Sequence, residues 1–147
     1  MKIIFLLSSF IICDLLFGQA YNKLNGKWQA ESASLTSMNF DTYQFNDKGK
    51  FQFKPNGYNG LNRVISINGS YSIKGDTLYF IPEYTNEITG GNFVRSESTT
   101  LSDTWEIVNG QDVKKTILKK SKQSATIKFK SDLKSFTLDE RMFFKVE

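Results

Sequence analysis

Apolar and polar residues alternate with period two along most of this chain. Asp41, Tyr43 and Phe45 alternate with Thr42 and Gln44, and Phe51 and Phe53 with Lys50, Gln52 and Lys54. The same rhythm returns at Ile65 and Ile67, Tyr71 and Ile73, Trp105 and Ile107, and Ile127 and Phe129, and it closes on Met142, Phe144 and Val146. Period two places one set of side chains on a buried face and the other in water, as in a half-buried strand. Turn signals fall between the runs. Asn46-Asp47-Lys48-Gly49, Asn68-Gly69 and Gly75-Asp76 read as tight turns, Gly90-Gly91-Asn92 as a longer loop, and Asn109-Gly110-Gln111-Asp112 as another turn. No stretch carries a helical stripe, and residues 31–39 have room for one helical turn at most. The pattern predicts an all-β fold, a single antiparallel up-and-down β-barrel of roughly eight to ten strands.

The N-terminus breaks the pattern. Lys2 precedes an apolar run over 3–17, interrupted by Ser8, Ser9, Cys13 and Asp14, and Gly18-Gln19-Ala20 supplies small residues for a cut. These are the parts of a secretion signal, too short and too interrupted for a comfortable membrane span. Residues 1–19 are therefore expected to be removed, with cleavage after Gln19 or Ala20 fitting equally well. That leaves a domain over 20–147 with an extracytoplasmic location: periplasmic, cell-envelope or secreted. Bulky Ile12 before Cys13 argues against acylation there. No later run reaches spanning length, so no transmembrane segment is expected after signal removal.

Composition then narrows the chemistry. The chain of 147 residues has 13 Phe, 6 Tyr and 2 Trp, enough apolar mass for one cored domain. It has no His, and its one Cys is Cys13. The domain after the signal thus lacks disulfides, imidazole or thiolate metal sites, and Ser-His-Asp or Cys-His catalysis. The nearest groupings of carboxylates, Asp139-Glu140 and Glu83 with Glu87, sit in no catalytic frame. The chain is read as not an enzyme, with no cofactor and no metal.

The segment Leu24-Asn25-Gly26-Lys27-Trp28 carries Gly-x-Trp at the opening of the first strand, and Arg141 lies near the end of the chain. These resemble the lipocalin signature, in which a late basic residue packs across the first-strand Trp. The run Gly69-Ser70-Tyr71-Ser72-Ile73-Lys74-Gly75-Asp76-Thr77-Leu78 is similar to a hairpin of small bacterial lipocalin-like (calycin-type) domains. The resemblance implies a barrel whose closed end is plugged by Trp28 with Arg141 stacked on it by cation–π attraction. It also implies an interior for a small hydrophobic or amphipathic ligand, with Tyr43, Phe45, Phe51, Phe53, Tyr71 and Trp105 as the inward candidates.

Net charge is +4, and residues 113–134 concentrate Lys114, Lys115, Lys119, Lys120, Lys122, Lys128, Lys130 and Lys134 against the single acid Asp132. If strands at 113–119 and 125–130 pair, they form a basic face. It is either a surface for anionic partners or a lysine-guarded sheet edge. Nucleic acid is not expected, since no binding motif accompanies the charge. Asn68-Gly69-Ser70 matches a glycosylation acceptor but reads equally as a turn. Two functions remain open: a ligand-binding barrel, or a cell-envelope interaction module with a solid core and no ligand.

Overall fold

A computed structural model describes residues 23–33, 40–97, 105–119 and 121–146. The expected signal at 1–19 lies outside them, as do residues 34–39 of the segment expected to hold a helical turn. The alternating runs become nine strands: β1 (Gly26–Ala30), β2 (Thr42–Phe45), β3 (Lys50–Lys54), β4 (Val64–Lys74), β5 (Thr77–Arg95), β6 (Trp105–Thr116), β7 (Gln123–Phe129), β8 (Ser135–Leu138) and β9 (Arg141–Val146). All pairings are antiparallel. β1 pairs with both β2 and β9, so Trp28 lies opposite Tyr43 on one side and Lys145 on the other. With β4 pairing β5 and β5 pairing β7, strands β1–β5 and β7–β9 form a closed eight-stranded barrel, and β6 is the one extra strand.

The ninth strand exists because β5 is too long for the wall. Over 77–87 one edge of β5 pairs with β4. Its other edge pairs with β7 only over 77–80, and from Tyr84 to Arg95 it pairs with β6. Beyond Glu87 the β5–β6 ribbon therefore leaves the barrel as a two-stranded arm. At strand rise, residues 88–95 reach about 25 Å. Strand directions place this arm at the barrel end where β2 and β9 begin. The β3–β4 loop braces it: the Ile88 N–H donates to the Arg63 carbonyl at 2.7 Å and the Ile107 N–H to the Gly60 carbonyl at 3.1 Å.

Inside, the inward residues of each strand are largely aromatic, and their rings touch in a continuous series. Trp28 meets Phe136 at 4.7 Å, Phe136 meets Phe143 at 5.4 Å, and Tyr43 meets Phe143 at 5.4 Å and Phe80 at 5.5 Å. Phe51 meets Phe80 at 4.9 Å, and Phe45 meets Tyr71 at 4.9 Å. Tilted and edge contacts of this kind add about 0.5–1.5 kcal/mol each beyond buried area. Trp28 and Leu24 are fully buried, and the indole N–H donates to the Leu24 carbonyl at 2.6 Å. The polar end of the indole is thereby satisfied without water.

Three expectations need correction. Asn68-Gly69 is not a turn: both residues lie inside β4, at a register shift against β5. Gly69 is needed there for space, because a Cβ would collide with the Ile81 carbonyl and stand 2.9 Å from the Phe51 ring. The Asn68 side chain is buried and donates to Ser66 Oγ at 2.9 Å, so it is engaged in the wall rather than presented as a glycosylation acceptor. Gly90-Gly91 and Asn109-Gly110 are likewise within strands, paired with each other as Gly90 opposite Gly110. Their positive φ values, 70° at Gly90, 81° at Gly91 and 59° at Asn109, deform the arm locally. Finally, β9 departs from the expected phase at its centre. Phe143 is buried in the core, whereas Met142 and Phe144 are only half-buried; Val146 at the strand end is buried, and exposed Lys145 is the partner of Trp28.

Truncation of the plug, Trp28→Ala, should lower the unfolding free energy by about 3–5 kcal/mol in urea titrations. Gly69→Ala should cost about 1–3 kcal/mol by overpacking β4 against β5.

Candidate functional site

The ring series packs most of the interior solid and thins out at the end from which the arm leaves. There a cavity of about 390 Å³ opens, floored by Tyr43, Phe53, Phe80 and Phe143 and rimmed by Gln123 and Arg141. Each floor residue comes from a different strand, and Tyr43 and Phe53 are inward positions of period-two runs. The wall also includes Ala125, whose small side chain leaves the space open.

The rim is held by charge. Arg141 donates through Nη1 to Asp41 Oδ2 and through Nη2 to Glu31 Oε1 at 3.1 Å. Asp41 Oδ1 accepts from the Asn56 backbone N–H at 2.7 Å and from its side-chain amide at 3.1 Å. One carboxylate thus ties the starts of β2 and β9 to the β3–β4 loop, and Glu31 adds the end of β1. Burial works against the Arg141 charge, but the hydrogen bond and charge of Asp41, then those of Glu31, more than offset it and raise its pKa. The β8–β9 hairpin completes the rim: Asp139 and Glu140 both have positive φ, 45° and 75°, as a two-residue type I′ turn requires. Asp139 Oδ1 accepts the Thr126 N–H at 2.8 Å, which locks the turn to β7.

Tyr43 is the chemical centre of the floor. Its ring contacts Phe45, Phe53, Phe80 and Phe143. Burial pushes its hydroxyl up from 10.0 to about 12, with the Asp41 carboxylate adding to the shift, Arg141 opposing it and Asp139 adding again. The hydroxyl therefore stays protonated, a neutral polar group on an apolar floor.

The six inward candidates separate into three groups. Tyr43 and Phe53 line the cavity. Phe45, Phe51 and Tyr71 are buried in the packed core below it, with the Tyr71 hydroxyl donating to the Asn46 carbonyl at 2.9 Å. Trp105 is not inside at all: it lies at the start of β6 on the arm, 47% exposed. It does share a face with Ile107, as alternation demands, but no second sheet covers that face. Phe80 and Phe143, which the alternation did not single out, belong to the cavity. Phe80 sits in the run Leu78-Tyr79-Phe80-Ile81 and Phe143 in Met142-Phe143-Phe144, where unbroken apolar sequence hides the phase.

The expected stacking of Arg141 on Trp28 is also corrected. Arg141 stands at the rim, its guanidinium 5.8 Å from the Phe143 ring centre, and the cation over Trp28 is Lys145 at 5.6 Å. Lys145 is the strand partner of Trp28, and Arg141 lies four residues away along β9, about 13 Å at strand rise. The lysine-rich strands do not pair with each other either. β6 and β7 follow one another along the same edge of β5. Lys114 folds over the Tyr84 ring at 3.7 Å, and Lys115 pairs with Glu87 at 2.6 Å.

A second concavity, of about 470 Å³, lies against the outer wall between β2 and β5. Its polar walls are already tied together by Lys50 with Glu83 at 2.8 Å and Gln52 with Asn68 at 2.9 Å. Among the described residues no group of three or more acidic, His or Cys side chains is placed to hold a metal.

Fold and site thus define a closed antiparallel eight-stranded barrel, consistent with a calycin-like one, with an aromatic cavity at one end. No protein-family model matches the chain, and neither curated proteins nor solved structures match it.

Because folding holds the Tyr43 proton more tightly than the unfolded chain does, stability present below pH 10 should fall as pH rises from about 10 through about 12. The loss should approach about 2–3 kcal/mol at the far end. Tyr43→Phe should flatten this alkaline slope in urea titrations run at successive pH values.

Proposed function

We propose that this chain is a lipocalin-like binding barrel that takes one small hydrophobic or amphipathic molecule at its open end, in an extracytoplasmic compartment. The observation that carries this reading is the aromatic-floored cavity of about 390 Å³ with the Tyr43 hydroxyl and Arg141 at its border. That volume falls at the small end of ligand sites, about 300–1,000 Å³. An apolar body would displace water from Phe53, Phe80 and Phe143. A polar head would remain at the rim, where Arg141 is already neutralised by Asp41 and Glu31 and Asp139 adds a further negative charge. Uncharged or cationic heads suit this rim better than carboxylates. The apolar N-terminal run over 3–17, the Gly26-Lys27-Trp28 opening and the fully buried Trp28 support the same assignment.

The projecting arm favours a second reading, an envelope interaction module. Phe93 and Trp105 on the arm are 60% and 47% exposed, outside any core. The two readings differ in what fills the cavity. Titration with medium-chain alcohols, amines and fatty acids, followed by intrinsic fluorescence and calorimetry, should saturate at one molecule per chain for the first reading. Ala125→Phe, which fills the cavity from its wall, should weaken that binding by at least about tenfold, the loss expected when a ligand's pocket is occupied. Saturation by no member of the panel, or unchanged binding in Ala125→Phe, sinks the ligand reading and leaves the interaction module.

A further inference from the structure

Among the described residues the outer edge of β6 is open. There β6 pairs with β5 alone, in one register from Trp105 to Thr116 that skips only Gly91 and Asn109. On its far side the Ile107 N–H goes to the Gly60 carbonyl, whereas just past the strand the Ile117 N–H turns toward β5 and goes to the Glu83 carbonyl. Between these two anchors residues 109–116 are all exposed. Backbone groups on a strand point to alternate sides. Since the Ile117 N–H points to β5, those of Gln111, Val113 and Lys115 do so as well, and those of Gly110, Asp112 and Lys114 point away from it; the positive φ of Asn109 reverses the phase between this segment and Ile107. Such an edge invites a further strand unless something guards it, and lysine is a usual guard. Here the lysines of the segment are turned the other way. Lys115 is held by Glu87 and Lys114 lies over Tyr84, both on β5.

The side-chain order along this edge suits pairing with itself. Consider two copies aligned antiparallel about a dyad at Val113. Gln111 then faces Lys115 of the second copy, and Val113, 37% exposed in one copy, faces its twin. Asp112 faces Lys114 of the second copy and Lys114 faces Asp112, so the opposite charges meet twice. Shifting the dyad by half a step in either direction sets Asp112 against Asp112 or Lys114 against Lys114, which like-charge repulsion disfavours. The favoured register also brings Leu118, 96% exposed, to the level of Val108 of the second copy.

We infer that this protein self-associates through β6, two copies joining antiparallel about Val113 into one continuous sheet that links their arms. The contact is short and polar, below the roughly 1,200 Å² of a standard interface, so the dimer is weak and reversible. It weakens with salt, because its register depends on exposed charge pairs. It leaves both barrel mouths outside the paired segment, and it holds whether or not the cavity takes a ligand.

The test is a sedimentation series on the purified protein from micromolar to millimolar concentration, with amide hydrogen exchange at each step. The expected result is a monomer–dimer equilibrium, with the amides of Gly110, Asp112 and Lys114 slowing as dimer forms. Asp112→Lys and Lys114→Asp should each weaken the dimer by about tenfold or more, since each turns two opposite-charge contacts into like-charge ones. The double swap D112K/K114D should restore wild-type association. A monomer across the whole series, a dimer that protects a different edge, or a swap as weak as the single variants overturns the inference. Exchange on the wild-type protein decides the matter even if a charge variant folds poorly.

Discussion

Pairing of the first strand with the last removes the two edges that a meander of eight strands would otherwise leave open. Closure of this kind comes from a few register matches, Lys27 with Val146, Trp28 with Lys145, Gln29 with Phe144 and Ala30 with Phe143. They set which face of β9 looks inward, and so bring Phe143 rather than Phe144 into the core. They also carry Arg141 past the end of β1, where it meets Glu31 and Asp41. The rim clamp and the aromatic floor are therefore two consequences of one strand pairing. A one-residue slip would turn every inward ring of β9 to solvent.

Within the closed barrel the rings are packed tightly at the Trp28 end and loosely at the other. Trp28, Phe45 and Phe136 are sealed, whereas Tyr43, Phe53 and Phe80 touch each other and also border open volume. The gradient follows from side-chain size: Ala125 and Gln123 on β7 stand where a further large apolar residue would fill the space. The solid end and the vacant end are thus separated within the span of single strands, and a rigid floor of stacked rings supports the only polar group on it, the Tyr43 hydroxyl.

The arm has a different physical basis. It has no core of its own. It stands because the β5–β6 ladder is long and because the β3–β4 loop crosses it, with Arg63 donating to the Ile88 carbonyl at 3.1 Å and the Gly90 carbonyl at 2.8 Å while its guanidinium lies 5.6 Å from the Phe93 ring centre. Gly90 and Gly91, both at positive φ, give it a kinked contour. Gly91 in particular combines positive φ with Ile107 packed where a Cβ would stand, at 2.7 Å. An isolated two-stranded ribbon is marginal in water, which makes this brace and any further strand on β6 energetically relevant.

Period two along the chain was sufficient for the strand content, the antiparallel barrel and the inward faces of β2, β3 and β7, because polar residues between Tyr43, Phe45, Phe51, Phe53, Ile127 and Phe129 mark the phase without ambiguity. It was not sufficient where apolar residues run together, as in Met142-Phe143-Phe144 and Leu78-Tyr79-Phe80-Ile81, since any phase fits such a run. Nor does alternation say whether another surface covers a face. Trp105 and Ile107 lie on one side of β6, but only the tertiary structure shows that β6 stands outside the barrel. Glycine was ambiguous in the same way: a turn, a close approach and a kinked strand all call for it, and Gly49, Gly69 and Gly91 are one of each. The identity of the cation over Trp28 was decided by register, a long-range property that no local spacing contains. Residue chemistry, the absence of His and the placing of the one Cys at position 13 above all, bounded what the site can do, and three-dimensional closure alone determined where that site would be.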